Sequence, residues 1–299
     1  MRAFSQNGVD IEDTFAEAFP MTAARLVVTA ATARWALTAG TIATGYAASV
    51  IGCDAEAGIE RELCATETPD GRPGVSLLFF AFNRDALQKA VVNRVAQCIL
   101  TCATTSVFNG LAGDEGKSIR IGGNLRYFGD GWQISKLFDD RRYWRMPTMD
   151  GEFLCEDAFG TTKGVAGGNL LILGESQATT LAAAEAAVVA MRAVPDIILP
   201  FPGGIVRSGS KVGSKYKALR ASTNEAYCPT LRGVVPSELP AGVNAVYEIV
   251  IDGLTLQAVE RAMAVGMEVA TRSPGVRRIS AGNYGGKLGP HHIYLKALN

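Results

Sequence analysis

Residues 156–174 read EDAFGTTKGVAGGNLLILG, and residues 12–30 read EDTFAEAFPMTAARLVVTA. Both begin on Glu-Asp, one small residue and Phe, and both reach an apolar run about ten residues on, Leu170 to Leu173 and Leu26 to Ala30. The likeness continues outward. Alanine-rich helical patterns follow over 179–193 and 31–44, then short apolar runs at 197–199 and 48–51. Gly242-Val243 opens an apolar run to Ile251, and Gly74-Val75 opens one to Phe82. Helical patterns come next, near 255–271 and 85–103, then glycine-bearing segments from Arg277 (RRISAGNYGGKLG) and Ile119 (IRIGGNLRYFG). Each half reads as strand, helix, strand, strand, helix, strand. That is the order of a ferredoxin-like split βαβ unit, present twice. The expected fold is therefore α+β with an internal duplication. An N-terminal lobe spans 1–150 and a C-terminal lobe 151–299. Val259, Met263 and Met267 recur at helical spacing, as one buried stripe requires.

Composition narrows the functional classes. Lys and Arg number 29, equal to Asp and Glu, so no global field steers the chain toward nucleic acid or a membrane surface. Asp10, Glu12, Asp13 and Glu17 crowd the first twenty residues, where a secretory signal needs bases and an apolar run. Arg34, Glu185 and Arg192 interrupt the most apolar regions, so no membrane span is expected. The six cysteines are scattered, which suits reduced thiols in a cytoplasmic protein. No metal site is expected. Cys98 and Cys102 have no histidine nearby, and His291 and His292 would point to opposite faces of a strand.

Two regions carry chemistry. The first, PFPGGIVRSGSKVGSKYKALR from Pro200, has helix breakers and then Arg207, Lys211, Lys215, Lys217 and Arg220 without an intervening acid. It reads either as a solvated loop or as a cradle for an anionic ligand tail. Gly203 and Gly204 would give backbone N–H groups, Ser208 and Ser210 hydroxyls, and the bases charge. Next come Ser222, Thr223, Asn224 and Tyr227, suited to hydrogen-bonding a heterocycle or to capping helices. The second region is Glu248 in VYEIVI (246–251), a carboxylate inside an apolar strand pattern on the face of Val246 and Val250. Desolvation there would raise its pKa toward neutrality, as acid–base work needs. An edge strand facing water is the plain alternative. Aligned from Gly74-Val75, its repeat counterpart is Phe80.

VDIEDTFAEAFP, TPDGRPGV, GVAGGN, PFPGGIVRSGSKVGSK, ASTNEAYCPT, VYEIVIDGL and SAGNYGGKLG, in order along nearly the whole chain, resemble the formylmethanofuran–tetrahydromethanopterin formyltransferase family. The resemblance implies two ferredoxin-like lobes and formyl transfer between the amine of methanofuran and N5 of tetrahydromethanopterin. It implies no tightly bound cofactor, a homo-oligomer (commonly a tetramer), and a catalytic glutamate at Glu248. The neutral charge balance is closer to the version in methylotrophic bacteria, whose partners are formylmethanofuran hydrolase subunits, than to the acidic archaeal one. The stretch from Gly113 to Arg145 fits the archaeal pattern poorly, and nothing is carried over there. A charge-removing change at Lys211 is expected to raise KM. The rival reading is a non-catalytic scaffold or coenzyme-binding subunit of a formyltransferase/hydrolase complex.

Overall fold

A computed structural model describes residues 4–112 and 117–298, so part of the Gly113–Arg145 stretch lies outside the described residues. The fold is α+β, with far more sheet than helix. The chain divides into two compact units: Met21–Gly164, and Val165 onward together with the residues up to Pro20. Residues 4–20 thus belong in space with the second half of the chain.

In the first of these units, β1 (Phe15–Thr29, of which Met21 onward belongs to this unit) is joined through α1 (Ala33–Thr44) to β2 (Glu56–Leu63) and β3 (Gly74–Ala81), then through α2 (Arg84–Arg94) to β4 (Ser106–Asn109). The strand β1 pairs antiparallel with β3 and β4, and β3 pairs with β2. Beyond β4 lie three further strands, Gly151–Glu156, Arg141–Thr148 and Ile134–Phe138. Ala48–Ile51, expected as a strand, is turn, and β2 takes that place as a more polar segment. The segment from Ile119 is not the closing strand either. Ser118–Arg120 pairs with Ala158–Gly160 and a short helix follows, so β4 closes the pattern.

The second unit holds β5 (Thr162–Gly174), α3 (Gln177–Met191), β6 (Ile197–Ile198), β7 (Ala245–Gly253), α4 (Leu256–Arg272) and β8 (Val276–Ser280). The strand β5 pairs with β7 and β8, and β7 with β6. The last strand, β9 (His291–Tyr294), runs antiparallel to Phe15–Ala18. Val259, Met263 and Met267 are buried with Leu170, Ile172, Ile249 and Ile251, so the helices cover one face of this sheet. Gly266 permits the approach of α4 to α3, since a Cβ there would strike the Met191 side chain.

The helix starts follow one rule. Thr32, Asn83, Ser176 and Thr255 each accept a hydrogen bond from the N–H three residues on, which satisfies a donor the helix cannot. The end of α1 is held from outside. The Arg94 guanidinium, 8% exposed, donates to the carbonyls of Ala43 (2.8 Å), Gly45 (2.7 Å) and Tyr46 (3.0 Å) and to Asp54 Oδ1 (2.5 Å). Arg94→Ala strands those carbonyls, so the urea midpoint should fall by the equivalent of about 2 kcal/mol; an unchanged midpoint would mean that water replaces the clamp.

Candidate active site

Glu248 lies mid-way along β7. It pairs with Leu171 of β5, and Leu171 pairs on its other side with Ser280 of β8. Directly opposed residues in antiparallel strands point to the same side, so Glu248, Leu171 and Ser280 share a face. Ile249 and Ile251 point the other way, into the helix-covered core. The Glu248 face is roofed instead by irregular chain: Leu171 and Leu173 pack with Leu239 and Val243, and Tyr227 and Val246 close against them. Glu248 is only half-buried, yet desolvation pushes its carboxyl up to about 7. Among the described residues no cation or hydrogen-bond donor reaches the carboxyl to offset that burial. At neutral pH it is partly protonated, able both to donate and to accept.

The basic segment begins on the same strand. Val206 and Glu248 exchange backbone hydrogen bonds, Val206 N to the Glu248 carbonyl at 2.7 Å and Glu248 N to the Val206 carbonyl at 3.0 Å. Arg207 directly follows the bridged residue, and Gly203 and Gly204 lie in the short turn before it. Gly203 (φ 67°) and Gly204 (φ 87°) both need the left-handed region, and Gly204 is wedged against Val188 and Leu199. Arg207, Ser208 and Ser210 are exposed.

Of the remaining candidates, Lys211 and Ser222 lie in a separate small hairpin, and Thr223, Asn224 and Tyr227 follow it. Lys211-Val212 pairs with Ala221-Ser222. Ser222 Oγ donates to the Gly213 carbonyl at 2.8 Å, so its hydroxyl holds the hairpin. Asn224 caps the short turn of 225–227, and Thr223 Oγ1 lies 3.4 Å from Cys228 Sγ. Lys211 is ion-paired with Glu225. Tyr227 is the member that returns to the Glu248 face: its hydroxyl hydrogen-bonds Ser280, and burial raises its pKa. Of the ten binding candidates, Arg207 follows the residue bridged to Glu248 and Tyr227 packs on the Glu248 face, while Gly204 packs on the helix-covered side; the hairpin engages Lys211 and Ser222 locally.

Two sequence profiles match the chain, that of formylmethanofuran-tetrahydromethanopterin formyltransferase over residues 4–148 and that of the FTR proximal lobe over 151–298. The chain belongs to this formyltransferase family. It is 57% identical over 295 residues to the formylmethanofuran–tetrahydromethanopterin formyltransferase of Methylococcus capsulatus, with 98% of each chain covered. It is 52% identical over 307 residues to a subunit of the formyltransferase/hydrolase complex of Methylorubrum extorquens, covering 100% of this chain and 98% of that one. Among solved structures, the family's enzyme from Methanosarcina barkeri superposes with a TM-score of 0.94 at 51% identity, covering 99% of this chain and 100% of that chain. A chain of the Methylorubrum extorquens formyltransferase/hydrolase complex, solved with methylofuran, superposes with a TM-score of 0.96 at 52% identity, covering 99% of each.

Two residues of the formyltransferase's Glu248 region escaped the sequence reading. Glu17 counted there only as one acid of the N-terminal cluster, yet it is 3% exposed. Tyr284 lies in the glycine-bearing segment from Arg277, where the sequence reading gives it no role, yet it is half-buried, and burial, then the charges of Glu248 and Glu17, hold its phenol above the ordinary range. For Glu17 a signal existed: like Glu248, it interrupts an apolar strand, between Ala16 and Ala18.

Proposed function

We propose that the chain transfers a formyl group between the amine of methanofuran and N5 of tetrahydromethanopterin, with Glu248 as its catalytic residue. The observation that carries this is a desolvated, unpaired carboxyl with a pKa of about 7, within a chain that matches its family end to end. In the transfer one amine attacks the formyl carbon and the carbonyl oxygen becomes a tetrahedral oxyanion. The C–N bond to the other amine then breaks as a proton passes from the attacking nitrogen to the leaving one. Holding both coenzymes in contact supplies part of the rate, roughly 7–11 kcal/mol when orientation is good. Protonated Glu248 donates to the oxyanion, and its titration near neutrality lets it relay the amine proton. Neither coenzyme is tightly held in this reading; both are substrates.

The loop beginning at Gly203 is proposed to grip an acidic coenzyme tail, with Ser208, Ser210, Ser222, Thr223, Asn224 and Tyr227 as the polar lining. Lys211 already has Glu225 as partner, so its charge is partly spoken for. Exposed Arg207, next to the residue bridged to Glu248, is the better test. Arg207→Gln should raise KM about tenfold with little change in kcat, as removal of uniform binding does; an equal fall in kcat would place Arg207 in the chemistry instead.

The two-lobe ferredoxin-like duplication is part of the same proposal. Strand pairing in β4-β1-β3-β2 order and in β8-β5-β7-β6 order supports it. The division at residue 150 then marks the sequence repeat, while residues 4–20 belong to the other compact unit. Counted back from the helix caps Asn83 and Thr255, the counterpart of Glu248 is Ser76, not Phe80. A cytoplasmic homotetramer joined to formylmethanofuran hydrolase subunits completes the reading; the relative named as a subunit of a formyltransferase/hydrolase complex supports the hydrolase association alone. The deciding experiment mixes the purified chain with formylmethanofuran and tetrahydromethanopterin and follows N5-formyl product by absorbance. Turnover by the chain alone supports the enzyme reading. Coenzyme binding without turnover supports the scaffold.

A further inference from the structure

The loop after β8 crosses the Glu248 face. The Asn169 side chain holds its first residues: Gly282 N donates to Asn169 Oδ1 at 2.5 Å, and Asn169 Nδ2 donates to the Gly282 carbonyl at 3.1 Å. Asn169 pairs with Val250, two residues from Glu248 on the same side of the strand. From there residues 284–289 fold around one buried carboxylate. Glu17 Oε2 accepts from Tyr284 N (2.7 Å) and Gly286 N (3.0 Å), and Oε1 accepts from Gly289 N (2.7 Å) and Leu288 N. Gly285 (φ 70°) and Gly286 (φ 72°) turn those N–H groups inward, the geometry of a backbone anion nest. The fit leaves no slack, since a Cβ on Gly289 would stand 2.2 Å from the Ala18 carbonyl oxygen.

This clamp is stronger than a surface loop needs. Burial pushes the Glu17 carboxyl up, but the four N–H bonds outweigh it and hold it below the ordinary carboxylate range. It therefore stays an anion with its lone pairs committed. The residue so fixed is Tyr284, whose phenol feels both Glu248 and Glu17 and stays protonated at neutral pH. Other titratable groups around this loop are His292, paired with Glu17 across β9 and packed on Gly286, and Tyr227 with its neighbours Glu12, Glu238 and Arg278.

Resting on the formyl-transfer reading above, we propose that Glu17 is a positioning residue that fixes the 284–289 loop so that the Tyr284 hydroxyl stands beside Glu248 as a second hydrogen-bond donor to the tetrahedral oxyanion. A neutral phenol and a protonated carboxyl converging on one oxygen divide the labour: Tyr284 stabilises charge, and Glu248 also moves the proton.

The test compares Tyr284→Phe, Glu17→Gln and the double variant, with kcat, KM and thermal unfolding measured alongside the wild-type chain. Loss of one oxyanion donor lowers kcat about 100-fold, so Tyr284→Phe should show that loss with KM and Tm nearly kept. Glu17→Gln puts an amide donor among N–H donors. The displaced loop should lower kcat by about tenfold to 100-fold. Because Glu17 acts through Tyr284, the double variant should be no slower than Tyr284→Phe alone. Losses that multiply, or full activity of Tyr284→Phe, overturn the proposal. Should Glu17→Gln fail to fold, Tyr284→Phe still decides. A substrate-free measurement separates this idea from the function it rests on. In a phenol absorbance titration, the transition missing from Tyr284→Phe should move to lower pH in Glu248→Gln. An unmoved transition overturns the juxtaposition; a moved one with an inactive wild-type chain supports it and strikes only the transfer reading.

Discussion

Glu248→Gln should lower kcat for formyl transfer by about 10²- to 10⁴-fold, the range that a positioned general acid–base supplies. Both KM values should stay close to wild type, because Gln keeps the shape and one donor. What the amide lacks is titration. With the wild-type carboxyl near 7, the acid form is the donor, so kcat should fall as pH rises through neutrality. That limb should be missing from the residual activity of the variant. The measurement is a kcat profile from pH 5 to 9 for both proteins. A variant with full activity, or one that retains the same limb, would remove Glu248 from the acid–base step and leave proximity as the main source of rate.

Glu248 is legible in the amino-acid sequence because it breaks a local pattern. A carboxylate inside VYEIVI on the face of Val246 and Val250 demands a reason, and the reason lies within a single strand. Glu17 breaks its own strand in the same way, but its meaning depends on four N–H groups more than 260 residues away in sequence. Nothing in the neighbourhood of Glu17 announces them. The helices are legible for a similar reason: Val259, Met263 and Met267 repeat at the spacing that one buried face imposes. The strand β2 is not. Among the described residues it pairs only with β3, and such an edge position tolerates Glu60, Arg61 and Glu62 in a row. The more apolar Ala48–Ile51 attracts the strand reading instead. The basic loop proposed to bind a coenzyme tail is half legible. Composition marks the basic stretch, but the Lys211–Glu225 pair and the Ser222 bond to Gly213 assign those side chains to the hairpin itself.

The same substitution that removes activity should make the fold more stable, by about 3 kcal/mol at pH 8. The sign follows from where Glu248 binds its proton. In the unfolded chain a glutamate titrates near 4.3, roughly; in the fold it titrates at about 7. Below both values the two states are equally protonated and the group contributes nothing. Between them the folded state holds a proton that the unfolded state has lost, so stability falls as pH rises. Above the folded value the whole penalty of a desolvated carboxylate is present. Glutamine removes that penalty without removing volume, so the variant and wild type should unfold together at about pH 3, below both values, and separate progressively to pH 8. Urea midpoints across this range provide the check. Glu17 behaves in the opposite sense: its lowered pKa contributes stability above the unfolded value, lost only as pH falls through the folded one. Two carboxylates in one unit thus differ in what surrounds them. Glu17 has its four N–H donors, whereas among the described residues Glu248 has none, which is why the two titrate in opposite directions. Equal stability of Glu248→Gln and wild type at pH 8 would mean that water or a relaxed side chain solvates the carboxylate, and that its pKa lies well below neutrality.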